Sequence, residues 1–409
     1  MADPKLLLSF YGDDFTGSTD AMESLARAGV RTVLFTETPT REQLARHPGI
    51  RAFGVAGLTR SMPPDEMERT LRPAFESLRA SGAPVVHYKV CSTFDSSPTV
   101  GSIGRVIDVG TDVFKSKRVP VVVGAPSLGR YCVFGNLFAR SGTESEPFRL
   151  DRHPSMSRHP VTPMDEADLR LHLAKQTSKS IAMFDTLHVD LPRERALTDF
   201  DRLKSDVVLI DLMRDEQLAN VGALIARSGG FVVGSSGVES ALAAHWGFDL
   251  ANFTPVVPAP KVLVICGSCS PVTDAQIDAA EKAGFASVSF HLPSAFQLAA
   301  EALNSGRSVV VHSLRVEKKL DVNAILTSLA RDLLDSTDVR RVVVAGGDTS
   351  GAIARALGIQ SLEMIGELTR GAPLCRASAP GSPANGIEIT FKGGQIGPKE
   401  FFLNVQRGN

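Results

Sequence analysis

Long apolar runs are missing from this chain: nothing in it approaches the ~20 consecutive apolar residues that cross a bilayer. The apolar stretch Leu6–Phe10 near the start is too short for a signal sequence and lacks a small-residue cleavage site. It reads instead as a first buried strand, which predicts a cytoplasmic protein with no membrane partner. An excess of charge is missing too. The 44 basic and 45 acidic residues leave a formal net charge of −1, which argues against nucleic acid or an anionic membrane and favours a small-molecule partner. Cysteine is sparse. Five residues, an odd number, suggest no disulfide framework. Cys266 and Cys269 have C-x-x-C spacing, but no thioredoxin-like context and no second pair accompany them, so they read as small residues in a tight turn. Several catalytic motifs are absent: the P-loop G-x-x-x-x-G-K-[ST], a strand-borne G-x-G-x-x-G, H-E-x-x-H, G-x-S-x-G and the protein-kinase set.

What is present is repeated strand–turn–helix. The length of 409 residues predicts two domains. Short Val/Ile/Leu runs without alternation read as strands buried on both faces of a parallel sheet. They are Leu6–Phe10, Arg31–Phe35, Val85–Lys89, Pro120–Val123, Asp206–Ile210, Phe231–Val233, Lys261–Ile265, Ser308–Val311 and Arg341–Val344. Helical spacing is clearest over Ala21–Ala28, Pro64–Arg79, Asp165–Gln176, Thr273–Ala283 and Val322–Leu334. The expected class is α/β: two domains, each a mostly parallel sheet flanked by helices. Residues 251–260 hold three prolines and no charge and read as a stiff linker, dividing an N-terminal domain over 1–250 from a C-terminal domain over 261–409. The irregular stretch Ser141–Pro163 reads as a long loop.

Three turns put polar or small residues at the carboxyl end of a strand, where open α/β sheets bind ligands. Gly346-Gly347-Asp348-Thr349-Ser350-Gly351 and Gly267-Ser268-Cys269-Ser270 suit phosphate, because glycines admit a close backbone approach and a helix start supplies free N–H groups. Lys392-Gly393-Gly394-Gln395-Ile396-Gly397 adds a further glycine cluster to this nucleotide-site candidate. The first turn, Tyr11-Gly12-Asp13-Asp14-Phe15-Thr16-Gly17, has adjacent carboxylates instead. One of them could take a proton from a substrate hydroxyl; equally, Asp14 or Thr16 could cap the following helix. Lys89 ends an apolar strand, where an uncompensated charge is costly, so an anionic partner is expected: a substrate carboxylate or an aspartate of the first turn. Ser92, Thr93 and Ser96 offer hydroxyls to a polyhydroxylated ligand, and Arg60 could fork onto a carboxylate.

In chain order these segments resemble the motifs of the four-carbon acid sugar kinases. The resemblance rests on Asp13-Asp14-Phe15-Thr16-Gly17, Thr59-Arg60-Ser61, Lys89-Val90-Cys91-Ser92-Thr93, Gly267-Ser268-Cys269-Ser270, Gly346-Gly347-Asp348-Thr349 and Lys392–Gly397. It implies a sugar-acid domain followed by a nucleotide domain, with the active site in the cleft between them. It also implies ATP-dependent phosphorylation, with Mg²⁺, of the terminal hydroxyl of a four-carbon acid of the 3-oxo-tetronate, threonate or erythronate type. Cys91–Ser96 looks closest to the 3-oxo-tetronate kinases. By that resemblance Asp13, Arg60, Lys89, Ser92 and Thr93 would hold substrate, and Asp14, or failing that Asp13, would take the proton. Ser268, Ser270, Gly346, Gly347, Asp348, Thr349, Gly393 and Gly394 would hold ATP. A homo-oligomer is compatible with the sequence. Two rival readings are a non-catalytic sugar-acid binding or regulatory protein and an aspartate-nucleophile phosphatase; the latter usually wants Asp-x-Asp, which this turn lacks.

Overall fold

The computed structural model describes residues 5–141, 145–248, 250–313 and 321–409. These form two compact units. The first comprises residues 1–32 and 38–251, and the second residues 33–37 and 252–409. Segment 251–260 contains no helix or strand. Residues 142–144 of the long-loop candidate lie outside the described set.

In chain order the strands up to residue 234 are β1 (Leu8–Gly12), β2 (Thr32–Phe35), β3 (Ala52–Ala56), β4 (Val85–Lys89), β5 (Val119–Val122), β6 (Arg130–Val133), β7 (Asn136–Arg140), β8 (Pro147–Arg149), β9 (Ile181–Phe184), β10 (Val207–Ile210) and β11 (Gly230–Gly234). The main sheet of the first unit runs β3-β1-β4-β11-β5-β10-β9, with every neighbour parallel. Its central strands are buried along their whole length, as runs without alternation require. Tyr11 and Tyr88 stack with ring centroids 6.1 Å apart, and Phe75 meets both edge-on. Register aligns the carboxyl ends: Gly12 stands opposite Ala56 and Lys89, and Gly234 opposite Lys89 and Val122.

Not every segment alternates strand and helix. β6, β7 and β8 form a small antiparallel sheet. Its first turn is the pair Phe134 and Gly135, both at positive φ. Buried Asp211 accepts hydrogen bonds from both their N–H groups, at 2.5 and 3.0 Å. A single carboxylate more than 70 residues away thus fixes a hairpin that has no Asn-Gly signal.

The second unit holds β12 (Leu263–Cys266), β13 (Ala286–Ser289), β14 (Val309–His312), β15 (Arg341–Ala345), β16 (Ser361–Thr369), β17 (Ala372–Ser378) and β18 (Glu388–Lys392). Its order is β13-β14-β12-β15-β18-β17-β16-β2. The first five are parallel and the remaining pairings antiparallel. Residues 33–37, assigned to the N-terminal domain on sequence, belong to this unit. Phe35, Leu34 and Val33 pair with Ser361, Leu362 and Glu363, and Thr36 bonds Ile359 and Gln360 carbonyls. Strand pairing is a long-range choice that the local pattern of a buried strand does not encode. The helices Pro271–Lys282 and Phe401–Arg407 contribute Ile277, Ala280, Phe401, Phe402 and Val405 to a buried cluster with Val262, Val264, Val310 and Val343. No described helix is long and apolar enough to cross a membrane.

Candidate active site

In the first unit the acidic turn follows β1 directly. Asp13 N–H donates to the Lys89 carbonyl, and Arg60 N–H donates to the Asp13 carbonyl, so the turn is stitched to the strand ends on either side. Asp14 caps the helix Phe15–Arg27: its Oδ1 accepts from Gly17 N–H at 2.7 Å, and its Oδ2 accepts from the Thr16 hydroxyl at 3.0 Å. A side chain on Gly17 would begin 2.4 Å from Asp14 Oδ1, 3.4 Å from Lys89 Nζ and 3.5 Å from an Arg60 terminal nitrogen. Glycine is therefore what lets two cations and the capping carboxylate crowd one helix start.

Arg60 forks onto Asp13, with Nε and Nη2 donating at 3.1 and 2.8 Å, while Nη1 reaches Asp14 at 2.8 Å. The fork that the sequence offered to a substrate is thus engaged by the protein's own aspartates. Burial pushes the Asp13 carboxyl above its ordinary value, partly opposed by the Arg60 charge. The two aspartates differ in access: the side chain of Asp13 is 4% exposed and that of Asp14 21%. Lys89 is buried, as a strand end demands, and its Nζ lies 3.3 Å from Asp20 and 3.0 Å from the Val90 carbonyl. Burial disfavours its charge, yet Asp20 and Asp13 hold it above the ordinary lysine value. The anionic partner anticipated for Lys89 is therefore Asp20, one helical turn beyond Thr16, a residue the sequence reading did not single out.

After β4 the chain turns tightly. Thr93 donates to Asp95 at 2.6 Å and meets the Cys91 thiol at 3.0 Å. Ser92 is half-buried and makes no side-chain hydrogen bond among the described residues. Phe94, fully buried, sits at φ +59°, a strained conformation for an aromatic residue and one that tends to mark functional turns. Below it, Ser96 bonds His172 Nε2 at 2.9 Å and accepts from Gln176 at 3.0 Å, so Ser96 braces the turn rather than facing a ligand.

In the second unit three turns converge at the carboxyl ends of β12, β15 and β18. Gly267 N–H donates to the Ala345 carbonyl and Gly346 N–H to the Lys392 carbonyl. Ser270 caps the helix Pro271–Lys282, its hydroxyl accepting from Val272 N–H at 3.2 Å, and Ser268 Oγ accepts from Ser270 N–H at 3.2 Å. Gly346 stands at φ +126°, which only glycine adopts without strain, and opens the helix Gly347–Ala356. Gly347 and Asp348 are exposed in its first turn, whereas Thr349 is buried and donates to Asn323 at 3.0 Å. The Gly394 carbonyl accepts from Thr273 at 2.8 Å, tying the Gly393–Gly394 turn to the Ser270 helix.

Lys392 lies beneath these turns. It is fully buried, donates to the Thr273 hydroxyl at 3.1 Å and to the Gly394 carbonyl at 3.5 Å, and has no carboxylate partner among the described residues. Burial lowers its pKa to about 8. Sequence reading quoted Lys392 in a motif but gave it no role. Its signal is the same as that of Lys89: a charge at the end of a buried strand, which needs an anion. Of the C-x-x-C pair, Cys266 is buried and Cys269 exposed, and both are free thiols. Among the described residues no group of three or more His, Cys, Asp or Glu could hold a metal ion.

Comparison with known proteins bears on both units. Residues 8–242 match the family model of a sugar-binding N-terminal domain, and residues 263–402 that of a nucleotide-binding C-terminal domain. A 3-oxo-isoapionate kinase of Paraburkholderia graminis is 45% identical over 98% of this chain and 94% of its own length. A 3-oxo-tetronate kinase of Methylobacterium radiotolerans is 31% identical over 97% of this chain and 98% of its own. Among solved structures, a Salmonella typhimurium protein described as a putative tRNA synthase superposes with a TM-score of 0.83 at 24% identity, covering 99% of both chains, and at that identity supports the fold alone. The chain belongs to the four-carbon acid sugar kinase family and is by that membership a sugar-acid kinase, a phosphotransferase with an alcohol group as acceptor.

Proposed function

We propose that the protein transfers the γ-phosphoryl group of ATP to a terminal hydroxyl of a short sugar acid carrying a 3-oxo group. The observation that carries the nucleotide half is Lys392. A buried ammonium without a carboxylate, under turns rich in glycine and N–H donors, suits a polyanion. Ser268, Ser270, Gly346, Gly347, Thr349, Gly393 and Gly394 lie in those turns and would contact the nucleotide. Mg²⁺ needs few protein ligands when it travels on phosphates; exposed Asp348 is the carboxylate suited to it, and the ion would neutralise phosphate charge.

The acceptor binds in the first unit. Ser92 and Thr93 supply hydroxyls, and Arg60 and Lys89 hold the aspartates in fixed positions. Asp14, the more accessible of the pair, accepts the hydroxyl proton as the oxygen attacks phosphorus. Phosphoryl transfer asks the protein chiefly for positioning and charge neutralisation, which is what these rigid strand-end turns supply. The 3-oxo feature is common to the names of the relatives matched at 45% and 31% identity. A coupled ADP-release assay over 3-oxo-isoapionate, 3-oxo-tetronates, threonate and erythronate tests the reading. Turnover is expected with one of the 3-oxo acids. Silence across the panel, with the protein folded, would sink it.

A further inference from the structure

Arg60 and Lys89 were the sequence's two candidates for gripping the substrate carboxylate, and both are already matched: Arg60 by Asp13 and Asp14, Lys89 by Asp20. A third cation stands at the same edge of the sheet. Arg130 opens β6, just past β5, and its backbone N–H and carbonyl pair with Ala125, three residues beyond the end of β5. β5 lies beside β11 and β11 beside β4, with the carboxyl ends in register. Arg130 therefore follows a strand end only two strands from Lys89.

Its guanidinium is rigidly held but forms no ion pair among the described residues. Nη1 donates to the carbonyls of Leu128, Gly129 and Arg140, at 3.0, 3.3 and 3.2 Å. Nε is buried without a hydrogen-bond partner, and no carboxylate among the described residues reaches Arg130 as an ion pair. Burial disfavours its charge, and Cys91, Asp95 and Asp20 oppose that only in part and without an ion pair. Three carbonyls fix the plane of the group; Nε is buried, and Nη2, which makes no hydrogen bond among the described residues, is the nitrogen left to a carboxylate oxygen.

We infer that Arg130 is the anchor for the carboxylate of the sugar acid, making it a specificity-determining residue for the reaction. The inference rests on the sugar acid binding in the first unit, and it adds the group that distinguishes an acid from a neutral polyol or amide. The test uses the full-length protein, the best acid from the panel and its primary amide. Arg130→Met is expected to raise KM for the acid at least 30-fold, leave KM for ATP within twofold, and abolish the preference for acid over amide. Because the Nη1 bonds also tie the small sheet together, a second measurement uses the wild-type protein. Arginine-selective dicarbonyl labelling, read by peptide mass spectrometry, should mark Arg130 and be blocked by the acid but not by the amide. An unchanged acid-over-amide preference in a folded Arg130→Met variant, or equal protection by both ligands, would overturn the anchor while leaving the kinase reading intact. A wild-type protein that turns over no acid, and whose Arg130 no acid protects, would overturn both.

Discussion

Lys89 and Lys392 occupy equivalent places, each the last residue of a buried parallel strand, and they solve the burial of charge differently. Lys89 has Asp20. Lys392 has a hydroxyl and a carbonyl, and burial lowers its pKa from 10.5 to about 8. The sign of the consequence follows. Between pH about 8 and 10.5 the unfolded chain binds more protons at this site than the folded one, so this lysine's contribution to stability improves as pH rises through that window. A bound polyphosphate favours the ammonium, so nucleotide binding should draw roughly half to three quarters of a proton onto this lysine at pH 8.5, and almost none at pH 6.5. Calorimetry in buffers of different ionisation enthalpy checks this, and Lys392→Met should remove the uptake. Asp14 gives a second test at this scale. Asn is as good a helix cap as Asp, so Asp14→Asn should keep most of the stability while lowering kcat by roughly 10²-fold or more. A folded variant within threefold of the wild-type rate would reduce Asp14 to a cap.

Among the elements, the turn before the helix Gly347–Ala356 separates backbone need from ligand need. At Gly346 a Cβ would be strained by φ +126° and would lie 3.2 Å from Ser268 N, whereas at Gly347 a Cβ would meet nothing within 4 Å. Gly346→Ala should therefore destabilise the protein by about 1–3 kcal/mol. Gly347→Ala should leave the melting temperature unchanged and weaken nucleotide binding alone, as thermal unfolding with and without ATP would show. Most parallel strands were legible within two residues, because burial on both faces leaves an unbroken apolar run; β4 was read as Val85–Lys89 and is observed there. The antiparallel segments were not. β6 to β8 and the β16–β17 hairpin mix polar and apolar residues, and what holds them, such as the Asp211 carboxylate on the Phe134–Gly135 turn, comes from elsewhere in the chain.

For the molecule as a whole, the loan of residues 33–37 to the second unit matters most. A fragment comprising residues 252–409 would lack β2 and leave the outer edge of β16 bare at Ser361–Glu363, which would keep only their β17 partners. Bare strand edges recruit other strands, so this fragment should self-associate in size-exclusion chromatography. Fusing residues 32–38 back to it should shift it toward monomer. Equal behaviour of the two fragments would mean that β2 contributes little to the unit.

By itself the sequence determined the α/β class, the strand-end turns and the residues in them, because buried parallel strands and glycine-rich turns are written in local pattern. The pairing of those residues was decided by tertiary structure. Asp13 with Arg60, Lys89 with Asp20 and Thr273 with Lys392 are separated by 47, 69 and 119 positions. Only strand order and register bring each pair together, and only the packed structure reveals which buried charges have a carboxylate against them and which, at Lys392 and Arg130, do not.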